Sequence, residues 1–234
     1  MTLPSSLIQD LDAFKGLPPA AFGDVLAEAR LRKVAAGACV FTQGSPSLRF
    51  FLLLDGQLKI VQLTEGGQQV ILHLVAPGQM FGLAAAVGRD EYPGSAVAVV
   101  DSTVLVWPVG AWDRLASRYP ALAASALRLV GAHLQDAFAR LREVASARVE
   151  QRIARTLLRM VRQSGRRTAE GVEIDFPITR REIAEMASTT LHTVSRTLSG
   201  WEHSGVLTGG RRRIVVLDPH ALVRIAHEEG QHER

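Results

Sequence analysis

The chain has 234 residues, with 27 Lys+Arg, 23 Asp+Glu, seven histidines and one cysteine. That length suits one large domain or two small ones, and a single cysteine excludes an intrachain disulfide, a four-cysteine iron–sulfur cluster and a multi-cysteine zinc site. Charge is segregated: residues 1–120 carry 9 Lys+Arg against 10 Asp+Glu, while residues 121–234 carry 18 against 13, so a nucleic-acid partner is sought in the C-terminal half.

No apolar run approaches the roughly 18 residues of a membrane span. The opening MTLPSSLIQDLDAFKG lacks a basic start followed by an apolar run. A soluble, cytoplasmic protein without a signal peptide or membrane contact is expected. A short amphipathic helix is predicted near Pro19–Leu31, with Pro18 and Pro19 at its start. Residues 32–109 then read as all-β. The apolar runs Phe50–Leu54, Leu58–Leu63, Val70–Val75 and Val97–Val106 are separated by Asp55-Gly56, Glu65-Gly66-Gly67, Pro77-Gly78 and Pro93-Gly94. Many short strands with glycine turns suggest a sandwich or small barrel. Cys39 is expected there as a small buried hydrophobe.

The pattern changes at Pro120. From Ala121 to Arg148 there is no proline and one glycine. Leu127, Val130, Leu134, Ala137, Leu141 and Val144 are spaced 3, 4, 3, 4, 3, an a/d heptad seam. Such a stripe packs either on its own domain or on a second copy. No other helix of similar length and seam lies nearby in the sequence, which favours a parallel dimer. A second helix, Val149–Arg162, places Ile153, Leu157, Leu158 and Val161 on one face, and a short strand pair is expected around Val172–Pro177.

The most specific segment is Ile178–Val216. Thr179 with Glu182 is a Thr-x-x-Glu capping box, opening a short helix with Ile183, Ala184 and Ala187 inward. Ser188-Thr189-Thr190 supplies the next N-cap. The following helix turns Val194, Leu198 and Trp201 inward and His192, Ser195, Arg196 and Ser199 outward, and Gly205 ends it. Val206–Leu207 and Ile214–Leu217 can pair across Gly209-Gly210, with Arg211, Arg212 and Arg213 beside the turn. This is a helix-turn-helix with a wing. In such a helix Arg196 can donate two bonds to guanine O6 and N7, His192 and Ser195 can reach neighbouring bases, and Leu191 is either a thymine-methyl contact or core. Thr179, Arg180 and Thr193 are placed for phosphates, Thr190 is a further DNA-binding candidate, and the wing arginines either neutralise backbone charge or are solvated surface charges.

The sequence resembles the CRP/FNR family of bacterial transcription regulators over nearly its whole length. ITRREIAEMASTTLHTVSRTLSGWEHSGVL follows that family's ITR-x-EIA…ETVSR-x-L pattern. Gly37, Phe41-Thr42-Gln43-Gly44, Phe51–Leu58 and Pro77-Gly78-Gln79-Met80-Phe81-Gly82 match its cyclic-nucleotide-binding β-roll. The resemblance implies an α+β protein: a jelly-roll-like sensor domain over residues 1–120, a dimerisation helix and hinge over 121–148, and a winged helix-turn-helix over 149–234. It also implies a homodimer on palindromic double-stranded DNA, contact with RNA polymerase, and a population shift at a hinge near Ser146–Arg148.

The departures point away from cyclic AMP. Nucleotide-binding members follow Phe-Gly with a glutamate for the ribose, where this chain has Leu83, and place an arginine before Ser-Ala, where it has Gly94 before Ser95-Ala96. Their adenine-bonding Thr-Ser pair corresponds to Ala137-Phe138. The tentative effector pocket is therefore Phe81, Gly82, Leu83, Gly94, Ser95, Ala137 and Phe138, with His73 and His133, and it is more apolar than a cyclic-nucleotide site. Some relatives bind haem between roll and helix; His73 or His133 is the candidate ligand, for a nitric-oxide-responsive protein, and otherwise these are an ordinary strand residue and a surface helix residue. The lone Cys39 excludes the FNR-type cluster. His192 replaces the family's glutamate on the recognition helix, so the half-site is expected to differ at that base. A metal-oxygenase activity on the roll is disfavoured, since residues 32–109 contain one histidine. An effector-independent regulator, and a ligand-binding module without a transcriptional role, remain as alternatives.

Overall fold

The computed structural model describes residues 8, 9 and 11–227. The chain divides into two compact units, residues 1–136 and 137–234. No helix among the described residues is long and apolar enough to cross a membrane.

The first unit is built on two four-stranded sheets whose paired strands all run antiparallel. One has the order β1 (Arg30–Val34), β8 (Ser102–Pro108), β3 (Arg49–Asp55), β6 (Met80–Phe81). The other has the order β2 (Cys39–Phe41), β7 (Ser95–Ala98), β4 (Leu58–Leu63), β5 (Gln69–Val75). Side chains alternate across a strand, and β3 uses both faces. Phe51 and Leu53 join Val34, Val104, Leu58, Ile60, Val75 and Phe81 in one core. Phe50 and Leu52 join Leu105 and Trp107 in another, covered by helices. That second core includes Phe22 and Val25 of α1 (Ala21–Ala27), Ala111 and Leu115 of α2 (Val109–Arg118), and Leu122 of α3 (Pro120–Ser146). Burial on both faces is why Phe50–Leu54 reads as an unbroken apolar run. Trp107 stacks on Phe50 at 5.2 Å, and its indole N–H donates to the Val25 carbonyl at 2.7 Å.

The expected run Val97–Val106 is two strands, β7 and β8. The helix predicted near Pro19–Leu31 is shorter, since Arg30 already pairs with Val106 in a sheet. Helix α2 was not anticipated, because only two of its ten residues are buried, Ala111 and Leu115. Cys39 corrects its expectation: it is exposed, with Val40 beside it turned inward.

The second unit begins in the last turns of α3. Helix α4 (Val149–Ser164) buries Ile153, Ala154, Leu157 and Met160, a stripe at helical spacing. A four-stranded sheet has the order β11 (Leu207–Gly210), β12 (Arg213–Val216), β10 (Val172–Ile174), β9 (Gly165–Arg167). Helices α5 (Arg180–Met186), α6 (Leu191–His203) and α7 (Pro219–His227) complete it. Of the strand pair expected around Val172–Pro177 only one strand lies there, β10, and it pairs with β9 on one side and β12 on the other.

Candidate nucleic-acid interface and effector region

The local chemistry of Ile178–Val216 sets its geometry. Thr179 caps α5: its hydroxyl accepts from the Glu182 N–H at 3.2 Å, and the Glu182 carboxylate accepts from the Thr179 N–H at 2.8 Å. Thr190 caps α6, its hydroxyl accepting from the Thr193 N–H at 3.1 Å. Between the caps, Ser188 adopts φ +51°. Val194, Thr197, Leu198 and Trp201 are buried beneath α6.

This packing leaves a polar surface at the start of α6. Leu191 is exposed, which removes the core alternative for it; His192 and Arg196 are exposed, and Thr193 and Ser195 are half-buried. None of the ion pairs among the described residues uses Arg196. These side chains stand at the N-terminal end of α6, an arrangement suited to phosphate and base edges.

Two of the expected backbone-contacting arginines are already engaged. Arg180 bonds Glu202 of α6 at 3.2 Å across a groove of about 520 Å³ lined by α5, α6 and the β11–β12 hairpin. Arg213 donates to the Glu173 carboxylate at 2.7 and 3.3 Å; Glu173 also accepts from Arg166, which bonds Asp175 at 2.9 Å. The bond from Arg213 holds the Glu173 carboxyl below the usual carboxylate range. Arg213 thus ties the wing to its sheet rather than standing free. The tip belongs to Arg211 and Arg212, both exposed, with Arg212 at φ +65° in the two-residue turn between Gly210 and Arg213. Glu173 and Glu202 are the residues sequence reasoning missed. They lie 40 and 22 positions from their arginines, beyond any local spacing rule.

In the first unit, His73 of β5 and His133 of α3 are brought together, their rings stacked at 4.2 Å between centroids and 28° between planes. Both are half-buried, so His133 is not the surface residue of its simpler reading. Phe81 is core, stacked on Phe51 at 5.1 Å. Gly82 has φ +70°, and a Cβ there would meet the Phe51 ring at 2.8 Å. Gly94 is buried, and a Cβ there would meet the Val61 carbonyl oxygen at 2.8 Å. Ser95 accepts from the Gln43 N–H at 2.9 Å. Leu83 packs against the helix-covered core rather than the core between the sheets. Ala137 and Phe138 belong to the second unit, and both are exposed. No group of three or more His, Cys, Asp or Glu among the described residues is placed to hold a metal ion.

Family models match in two places: one for the cyclic nucleotide-binding domain over residues 31–119, and one for the Crp-like helix-turn-helix domain over residues 151–225. The chain belongs to the CRP/FNR family of transcription regulators. Among CRP/FNR relatives, the cyclic AMP receptor protein of Thermus thermophilus is 29% identical over 213 residues, covering 91% of this chain and 95% of that protein. The transcriptional activator protein FnrA of Stutzerimonas stutzeri is 25% identical over 227 residues, covering 97% and 88%. The solved structure of FixK2 from Bradyrhizobium japonicum has the same fold, with a TM-score of 0.74 at 23% identity over 84% of this chain and 96% of that one. The CRP/FNR assignment makes the α+β architecture, with its roll, long helix and C-terminal helix-turn-helix, that of a DNA-binding regulator family.

Proposed function

We propose that this CRP/FNR protein is a homodimer that reads palindromic DNA through α6 and answers to a small ligand other than cyclic AMP. The observation that carries the DNA-reading part is the surface of α6: His192, Ser195 and Arg196 lie on one face of a capped helix, and no carboxylate pairs Arg196. An unpaired guanidinium beside free helix N–H groups is set for guanine and phosphate together. Thr179, Thr190, Thr193 and the wing-tip Arg211 and Arg212 would hold the DNA backbone, with Arg180 and Arg213 shaping the domain. Contact with RNA polymerase belongs to the same proposal. The test is binding of the full chain to a pool of palindromic duplexes at moderate salt. Arg196→Ala should lose about 1–3 kcal/mol of discrimination at one guanine. Equal binding of palindromic and scrambled duplexes under all ligand conditions would overturn it.

The exclusion of cyclic AMP rests on position 94. No side chain stands there, and its backbone leaves no room for one. A cyclic phosphate would lack its cation, and a buried unpaired charge costs several kcal/mol. With Leu83 in place of a carboxylate, the residues do not fit a cyclic nucleotide. The ligand proposed is haem or another small apolar molecule, and His73 or His133, which meet in this structure, would hold a haem. Imidazole lone pairs lie in the ring plane, whereas His73 and His133 present their faces to each other. As stacked, the pair does not offer both rings to one iron, so one of them alone would hold a haem. Haem supplies an iron able to bind nitric oxide. An anaerobic absorption titration checks this: one haem per subunit, weakened by His73→Ala or His133→Ala, is expected, and a featureless titration removes haem and leaves other apolar ligands.

A further inference from the structure

We infer that Arg152 is a positioning residue that locks the end of the long helix to the helix-turn-helix and thereby sets the spacing between the DNA half-sites this protein accepts. The inference rests on the DNA-reading proposal above. The Arg152 guanidinium distributes its three nitrogens over three main-chain carbonyls from two parts of the chain. Nη1 donates to Ala147 at 3.0 Å, Nε to Ala187 at 3.1 Å and Nη2 to Ser188 at 3.2 Å. Ala147 is the first residue past α3, and Ala187 and Ser188 are the end of α5 and the turn before α6. Carbonyls at helix C-termini lack intrahelical donors and carry the negative end of the helix dipole. One cation therefore bridges two such ends. Only a planar fork of donors can do this; a lysine ammonium on the same helix is a single point charge that cannot span the three acceptors.

A second contact fixes the same joint. Arg159, two turns further along α4, donates to both carboxylate oxygens of Glu143 at 2.9 and 3.1 Å, and this pair is mostly shielded from water. Glu143 lies one turn before Ala147 on α3. The last turn of α3 is thus held to α4 by Arg159, and both are held to the turn by Arg152. Leu191, which opens α6, follows Ser188 by three residues. In a dimer joined through α3, the pose of α6 relative to the α3 terminus determines the separation and phase of the two recognition helices. Each base pair of spacer rotates one half-site by about a tenth of a turn relative to the other, so a fixed joint rejects wrong spacings.

The experiment uses the full-length protein and palindromes with identical half-sites whose central spacer is the preferred length, one base pair shorter or one longer. Wild type should prefer one spacing by about tenfold or more over its neighbours. Arg152→Gln and Arg152→Lys should bring that ratio down to about twofold, with base discrimination inside each half-site and the slope of affinity against salt unchanged. A generally weakened domain would lower all affinities together and leave the ratio intact, so the ratio separates positioning from folding. If Arg152→Gln does not fold, Arg152→Lys, which keeps the charge, carries the test alone. Wild-type spacing preference in a folded variant overturns the inference. Failure of wild type to discriminate bases within a half-site overturns the DNA-reading proposal instead.

Discussion

Ser188 occupies a left-handed conformation, φ +51°, where a Cβ crowds the backbone. Glycine enters that region freely but loses more entropy on folding. Ser188→Gly should therefore stabilise the protein by about 0.5–1 kcal/mol in thermal or urea unfolding, and a loss of stability would contradict this account of the turn. Gly94 presents the opposite case. Gly94→Ala forces a methyl to within 2.8 Å of the Val61 carbonyl, and overpacking against rigid backbone should cost about 1–3 kcal/mol. A neutral result would show that the strand gives way, and would reopen the position to a larger side chain. At this scale the sequence is informative where chemistry is local. The caps at Thr179 and Thr190 follow from spacing alone. The exposure of Cys39 and the engagement of Arg180 and Arg213 depend on partners supplied by the fold, and no neighbouring residue announces them.

Elements show the same division. The run Leu58–Leu63 is a strand with the expected bounds, because alternating burial and flanking turns are written in adjacent residues. Helix α7 goes unforeseen, since its buried positions Ala221, Leu222 and Ala226 are small and few. The seam of α3 is a heptad signal sustained over six positions, and its members are left open to solvent: Leu127 is 73% exposed, Leu134 54% and Leu141 66%. A large apolar stripe of this kind marks an interaction surface, and a second copy of α3 is the occupant the proposed dimer requires. Leu134→Asp would place an unpaired charge in that contact, so the dimer dissociation constant should rise by about two orders of magnitude. Sedimentation equilibrium measures it, and an unchanged constant would place the dimer contact elsewhere. The wing sheet has a different sensitivity. Glu173 is held below its ordinary range, first by the bond from Arg213. A depressed carboxyl contributes stability that is complete above its unfolded pKa, about 4.3, and is lost as pH falls through the folded value. Amide protection of β10 and β12 should therefore weaken below about pH 4, and Glu173→Gln should abolish that acid-dependent step. An identical acid profile in the variant would contradict the latch.

For the whole molecule, composition changes along the chain, from glycine-turned apolar runs to an uninterrupted helix to a basic capped segment, while the two compact units meet at residues 136 and 137, within α3, a boundary that no change of composition marks. The effector region was legible only in outline. The meeting of His73 with His133 joins positions 60 residues apart, and the packing of Leu83 depends on which core the roll turns it toward. The proposed regulator acts as a dimer on two half-sites at once, so the most direct measurement is a stoichiometric titration of the full chain against a palindrome, its isolated half-site and a scrambled duplex at moderate salt. Two subunits per palindrome, with affinity well above that for the half-site and lost with the scrambled duplex, is the predicted result. Equal affinity for all three duplexes, or independent single-subunit binding to each half-site, would contradict the dimeric, sequence-reading account.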